Sequence, residues 1–221
     1  MALLSGSRRG RSGQVGSGRP ARAGRMPWLA GVRSAVRTPP AVTAAAWLAM
    51  VASAAPAAGQ SLTQDEALAL AFPDADRVER RTAYLDDADL TRAAELAGPD
   101  VEVASAVVTY YVAMRAGAPE GVAYFDAHRV RTLSEVLMVV VGADDRVRRL
   151  EVVSFREPPE YRPPDGWLGQ LLDRPLEDAL SLRGDIAGIT GATLTALAVT
   201  RATRRALALH DVIDPFAPSA R

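Results

Sequence analysis

VLMVVV at residues 136–141, followed by GADDR at 142–146 and VRRLEVVSF at 147–155, is the stretch that decides the fold. Two runs rich in β-branched residues around a short link containing Gly and Asp read as an antiparallel hairpin. The first run is apolar at every position, so both its faces need cover and it belongs inside a sheet. The second partly alternates, with Arg148, Glu151 and Ser154 among apolar neighbours, as a half-buried strand does.

Upstream, residues 106–114 and 121–125 add two more strands around a turn marked by Gly117 and Pro119, and residues 77–85 add another. The second of these strands is expected to end at Phe125 and to lead into Asp126, Ala127, His128 and Arg129. Thr63-Gln64-Asp65-Glu66 has the pattern of a capping box and starts a short helix through Ala71, which Phe72-Pro73 ends. Asp87 or Asp89 is expected to cap a second short helix over 90–97, stopped by Gly98-Pro99.

Downstream, four prolines within 157–165 rule out regular structure. Residues 167–172 read as a short helix and 194–209 as a long one. On the long helix Ala198, Val199, Ala202, Ala206 and Leu209 form an apolar stripe, and Arg201, Arg204 and Arg205 a solvated face. The fold class is therefore α+β: an antiparallel β-meander sheet packed with short N-terminal helices and a C-terminal helix. Residues 60–214 are expected to form one domain, with 215–221 as a tail.

Charge divides the chain. Eight of the 26 basic residues lie between Arg8 and Arg37, and all 26 acidic ones lie from Asp65 onward. The remainder thus carries 18 basic and 26 acidic groups, net −8, behind a basic leader. Arg33 and Arg37 precede the apolar run AVTAAAWLAMVASAA at 41–55 and the small-residue segment Pro56-Ala57-Ala58-Gly59-Gln60. That is the layout of a secretory signal peptide over 1–59, with Met26 as a possible start. The run is short against the roughly 20 apolar residues a span needs, which favours cleavage over a retained anchor. Export to the periplasm, or to the outer face of the cytoplasmic membrane, is the expectation. Nothing in the pattern points to nucleic acid.

Cysteine and lysine are absent, and His128 and His210 are the two imidazoles. Thiolate metal sites, iron–sulfur clusters, lysine Schiff bases and a P-loop lysine are thereby excluded. An organic cofactor held covalently stays open.

Thr190-Gly191-Ala192-Thr193-Leu194-Thr195 stands immediately before the long helix. Gly191 and Ala192 let backbone approach a phosphate, and the free N–H groups of the first helical turn would meet its charge. Thr190 and Thr195 offer further hydroxyl donors. The competing account is that Thr193 or Thr190 is an ordinary helix N-cap.

This segment resembles the TGAT/SGAT flavinylation motif of the FMN-binding domain family, which includes flavin subunits of the sodium-pumping NADH:quinone reductase and of the Rnf complex. The resemblance implies FMN joined by a phosphoester to Thr193, installed from FAD by a flavin transferase. Thr190, Gly191, Ala192, Leu194 and Thr195 would surround it. It further implies an electron-transfer protein with membrane or periplasmic redox partner proteins. A flavin-dependent periplasmic reductase and a non-redox domain that has lost flavinylation are the alternatives.

Weaker similarity extends over 128–132 and 155–161. There Arg129 or Arg131 would meet flavin or phosphate oxygens, or else be a loop arginine in water. Tyr161 and Trp167 would border the isoalloxazine ring or serve as packing residues. The approach Arg183-Gly184-Asp185-Ile186-Ala187-Gly188-Ile189 resembles the acidic approach of relatives, with Ala187 where the family usually has aspartate. Asp185 is the candidate to stand in for it.

Overall fold

The computed structural model describes residues 61–217. The basic leader, Met26, the apolar run and the cleavage segment through Gln60 lie outside the described residues, as do the last four of the tail. In chain order the elements are α1 (Gln64–Ala71), β1 (Arg77–Tyr84), α2 (Asp87–Ala97), β2 (Val107–Arg115), β3 (Ala118–Arg129), β4 (Ser134–Gly142), β5 (Val147–Phe155), α3 (Asp165–Leu168) and α4 (Thr193–Ile213). Single 3-10 turns at Pro159–Tyr161 and Gly169–Leu171 flank α3, the first inside the proline segment expected to have no regular structure, where Pro159 opens the turn without needing an N–H.

The five strands form one antiparallel sheet in the order β1-β2-β3-β4-β5, each paired with its sequence neighbour. The α+β meander expected from the hydrophobic pattern is what forms. β4 lies between β3 and β5 and alternates across the sheet. Leu137, Val139 and Val141 enter the larger core with Val112, Val122, Leu150 and Val199. Met138 and Val140 enter a second core with Ala67, Phe72, Tyr111 and Val153, beneath α1. Both faces are covered, which is why this strand carries no polar residue between Val136 and Val141.

Helix starts follow side-chain chemistry. Thr63 caps α1 through the expected capping box, its oxygen accepting from Glu66 N while Glu66 accepts from Thr63 N. α2 starts earlier than expected and its cap is Asp86, rather than Asp87 or Asp89. Asp86 accepts from Ala88 N and Asp89 N, and Asp89 accepts from Asp86 N. The reciprocal pair needs carboxylates three apart, which 86 and 89 supply.

Two further expectations are corrected. β3 does not stop at Phe125: it stays in register with β4 as far as Arg129, opposite Ser134. The helix expected over 167–172 is the short α3 followed by a 3-10 turn. Among the described residues no helix is long and apolar enough to cross a membrane.

Candidate functional site

α4 begins at Thr193 with Ala192 in the N-cap position, and no side chain caps it. Neither Thr190 nor Thr193 is the helix cap. Ala196 N–H makes the first helical bond, to Ala192 O at 3.1 Å. The N–H groups of Thr193, Leu194 and Thr195 precede the ladder, at the positive end of a 21-residue helix with no acidic residue in its first turn. Thr195 is fully buried and its Oγ1 has no hydrogen-bond partner among the described residues. Such an orphan at a helix start is a donor waiting for an acceptor.

The entry to this helix is shaped by its backbone. Gly191 has φ +81°, where a side chain would be strained, and Thr190, Gly191 and Thr193 are exposed. Ala192 N–H closes a turn on Ile189 O at 3.0 Å. Earlier in the loop Gly184 packs on the backbone of Ala179, where an added Cβ would come within 2.5 Å of the Ala179 carbonyl oxygen.

A cleft of about 730 Å³ opens beside Leu194. One wall is the α4 face bearing Leu194, Leu197, Ala198, Arg201, Arg205 and Leu209; the facing wall comes from β2, β3 and the segment before β2. This volume lies within the range of small-molecule and cofactor sites, roughly 300–1,000 Å³. Ala198 and Leu209 are half-buried there rather than central to the core stripe, which runs through Thr195, Ala196, Val199, Ala202, Thr203, Ala206 and Leu207.

The β3 wall holds a buried ion network that strand ends do not ordinarily carry. His128 Nδ1 lies 2.9 Å from Asp126 Oδ1 and Nε2 3.2 Å from Glu135 Oε2, and Glu135 is fully buried. Arg205 reaches across from α4 as a fork, with Nε 2.6 Å and Nη2 3.0 Å from the Asp126 oxygens. Burial alone would lower the imidazole pKa. Hydrogen bonds to Asp126 and Glu135 and their charges outweigh it, and the value rises to about 9. Burial likewise pushes Asp126 up, but His128 and Arg205 overcome that and its carboxyl ends below the ordinary range. His210 joins a different network, its Nδ1 3.1 Å from the Tyr124 hydroxyl.

The expectation of a solvated arginine face on α4 is therefore corrected. Arg204 is buried and donates to three carbonyls, those of Ala97, Glu177 and Leu180. Arg205 is committed to Asp126. Arg201 is half-buried, with its Nε enclosed and lacking a partner. Long-range partners draw these guanidinium groups inward, and helical periodicity carries no trace of them.

The weaker candidates separate. Arg129 is exposed on the cleft wall. Arg131 is not on that wall: its guanidinium lies over the Tyr161 ring, 4.7 Å from the centroid. Trp167 is buried, and its Nε1 donates to Ala187 O at 2.6 Å. Gln170 Oε1 accepts from Ala187 N at 3.0 Å, so the backbone at 187 is held from both sides. Asp185 is exposed and paired with Arg174 at 2.8 Å.

Sequence reasoning missed Glu157, whose Oε1 accepts from the N–H groups of Arg131, Thr132 and Leu133. Those bonds, Leu133 first and then Thr132, hold its pKa below the ordinary value and fix the β3–β4 turn. A lone glutamate before Pro158-Pro159 gave no sign of this.

No curated protein and no solved structure matches the chain. Residues 134–208, from the start of β4 through most of α4, match a family model described as FMN-binding domain, so this part of the chain is similar to that family.

Proposed function

We propose that the protein is an exported flavin carrier holding FMN through a phosphoester on Thr193 Oγ1. The observation that carries this reading is the uncapped start of α4: an exposed threonine follows a positive-φ glycine, unbonded N–H groups lie beside it, and a cofactor-sized cleft adjoins it.

Attachment joins Thr193 Oγ1 to the phosphorus of the FMN half of FAD. The pyrophosphate P–O bond to the other half breaks, AMP leaves and the hydroxyl proton is released. A flavin transferase supplies the catalysis. Thr190, Gly191 and Ala192 leave the hydroxyl accessible, and the first-turn N–H groups of α4 hold the phosphate. Leu194, Leu197 and Ala198 offer an apolar bed along the helix, with Phe125 and Ala127 on the facing wall.

The attached FMN supplies the redox chemistry, taking electrons from one membrane or periplasmic partner and passing them to another. His128 favours the carrier over a self-contained reductase, since both its ring nitrogens are engaged by carboxylates and neither is free to protonate a substrate. The test is expression of the exported protein with a flavin transferase, followed by illumination of a denaturing gel. Wild type gives a fluorescent band and Thr193→Ala a dark one; fluorescence that persists in Thr193→Ala removes this residue as the attachment point.

A further inference from the structure

Arg129 and Arg201 are the two cleft arginines for which no ion pair or side-chain hydrogen bond forms among the described residues. They differ in setting. Arg129 is exposed at the end of β3. Arg201 is half-buried on the ridge between the cleft and a smaller hollow of about 310 Å³, with its Nε shielded from solvent and unpartnered. Its helical neighbours Arg204, facing the hollow, and Arg205, facing the cleft, are both engaged. A guanidinium without an anion in a partly enclosed place costs desolvation and returns nothing unless a ligand completes it.

Position along α4 indicates which part of a ligand it meets. Leu194, Leu197, Arg201 and Arg205 follow one another at spacings of three or four and share a face, with Ala198 beside them. Arg201 lies eight residues beyond Thr193, an axial rise of about 12 Å. That span is comparable to an extended ribityl phosphate arm together with the near part of its ring. Leu194, Leu197 and Ala198 line the cleft between the two ends and present no charge there.

We propose that Arg201 is a positioning residue for the flavin, set against the pyrimidine edge of the isoalloxazine ring, whose oxygen and nitrogen acceptors gain negative charge on reduction. The inference rests on attachment at Thr193. A fixed cation at this edge favours the reduced ring over the oxidised one, so Arg201 raises the reduction potential. It does so as one member of a cleft in which the other buried cations, His128 and Arg205, are already neutralised by Asp126 and Glu135.

The experiment uses the full exported chain loaded by the transferase, in wild type, Arg201→Gln, Arg201→Lys and Arg92→Gln. Arg92 pairs with Asp211 on the α2 surface and is the control. Equal in-gel fluorescence per mole establishes loading, and spectroelectrochemistry reads the midpoint potential. Arg201→Gln is expected to disfavour the reduced form by about tenfold, which for a two-electron couple is about 30 mV lower. Its visible band also shifts, Arg201→Lys recovers most of the potential, and Arg92→Gln changes nothing. Because Arg201 has no partner to orphan, the glutamine variant keeps the fold, and the lysine variant gives a second reading. A fully loaded Arg201→Gln with the wild-type potential and spectrum overturns this assignment alone. A wild type without flavin at Thr193 overturns it together with the reading beneath it.

Discussion

Thr193 is the first residue of α4, yet its side chain caps nothing, and the two accounts of this threonine diverge on that point. A capping threonine changed to alanine costs about 1 kcal/mol. A threonine kept for attachment sits on the surface, where such a change stays within about 0.5 kcal/mol. Thr193→Ala is expected to melt with the unloaded wild type while losing all flavin, as denaturant titration and in-gel fluorescence would register together. A loss near 1 kcal/mol would return Thr193 to an ordinary helix start. His128 makes a second prediction at this scale. Its folded pKa of about 9 exceeds the ordinary 6.5, so its stabilisation is complete below pH 6.5 and fades as pH rises through 9. The amount is on the order of 3 kcal/mol. His128→Gln should flatten that alkaline decline in stability; an unchanged slope between pH 6.5 and 9 would count against the network.

α4 is where sequence and structure differ most, and the reason is physical. Its existence and place were legible from spacing, as were the β4–β5 hairpin and the capping box of α1. Its polarity was not, because an arginine is buried when carbonyls distant in sequence meet it. Arg204 gathers Ala97 O at the end of α2 with the Glu177 and Leu180 carbonyls from the loop before α4. Arg204→Met removes the charge and leaves those carbonyls without a donor, at an expected cost of about 3 kcal/mol. Chemical denaturation measures it, and a change under 1 kcal/mol would mean that water replaces the guanidinium. β3 is a similar case. Asp126 and His128 looked like the start of a loop because charged residues are uncommon inside strands. They stay in register because Arg205 and Glu135 complete them.

Across the whole molecule, the meander sheet and the α4 start formed where hydrophobic pattern and turn chemistry placed them, and the motif at 190–195 lies at an open helix end. The cleft beside it was not legible, since its walls come from β2, β3 and α4 and meet only through tertiary packing. The same holds for Trp167, which anchors Ala187 instead of facing the cleft, and for Arg131, which stacks on Tyr161. Stability should fall off on both sides of neutrality. Asp126 and Glu157 have depressed folded pKa values, so their stabilisation is present above the ordinary carboxylate range and disappears as pH drops through the folded values. A thermal-melt series should show this acid limb weakened in Glu157→Gln; an identical limb would mean that its three backbone N–H bonds add nothing. The central claim concerns one oxygen atom, and mass spectrometry of the peptide containing Thr193, after co-expression with a flavin transferase, tests it most directly. The account predicts a mass raised by FMN less one water, with fragmentation locating the addition on Thr193. An unmodified peptide, or the addition on Thr190 or Thr195, would contradict it.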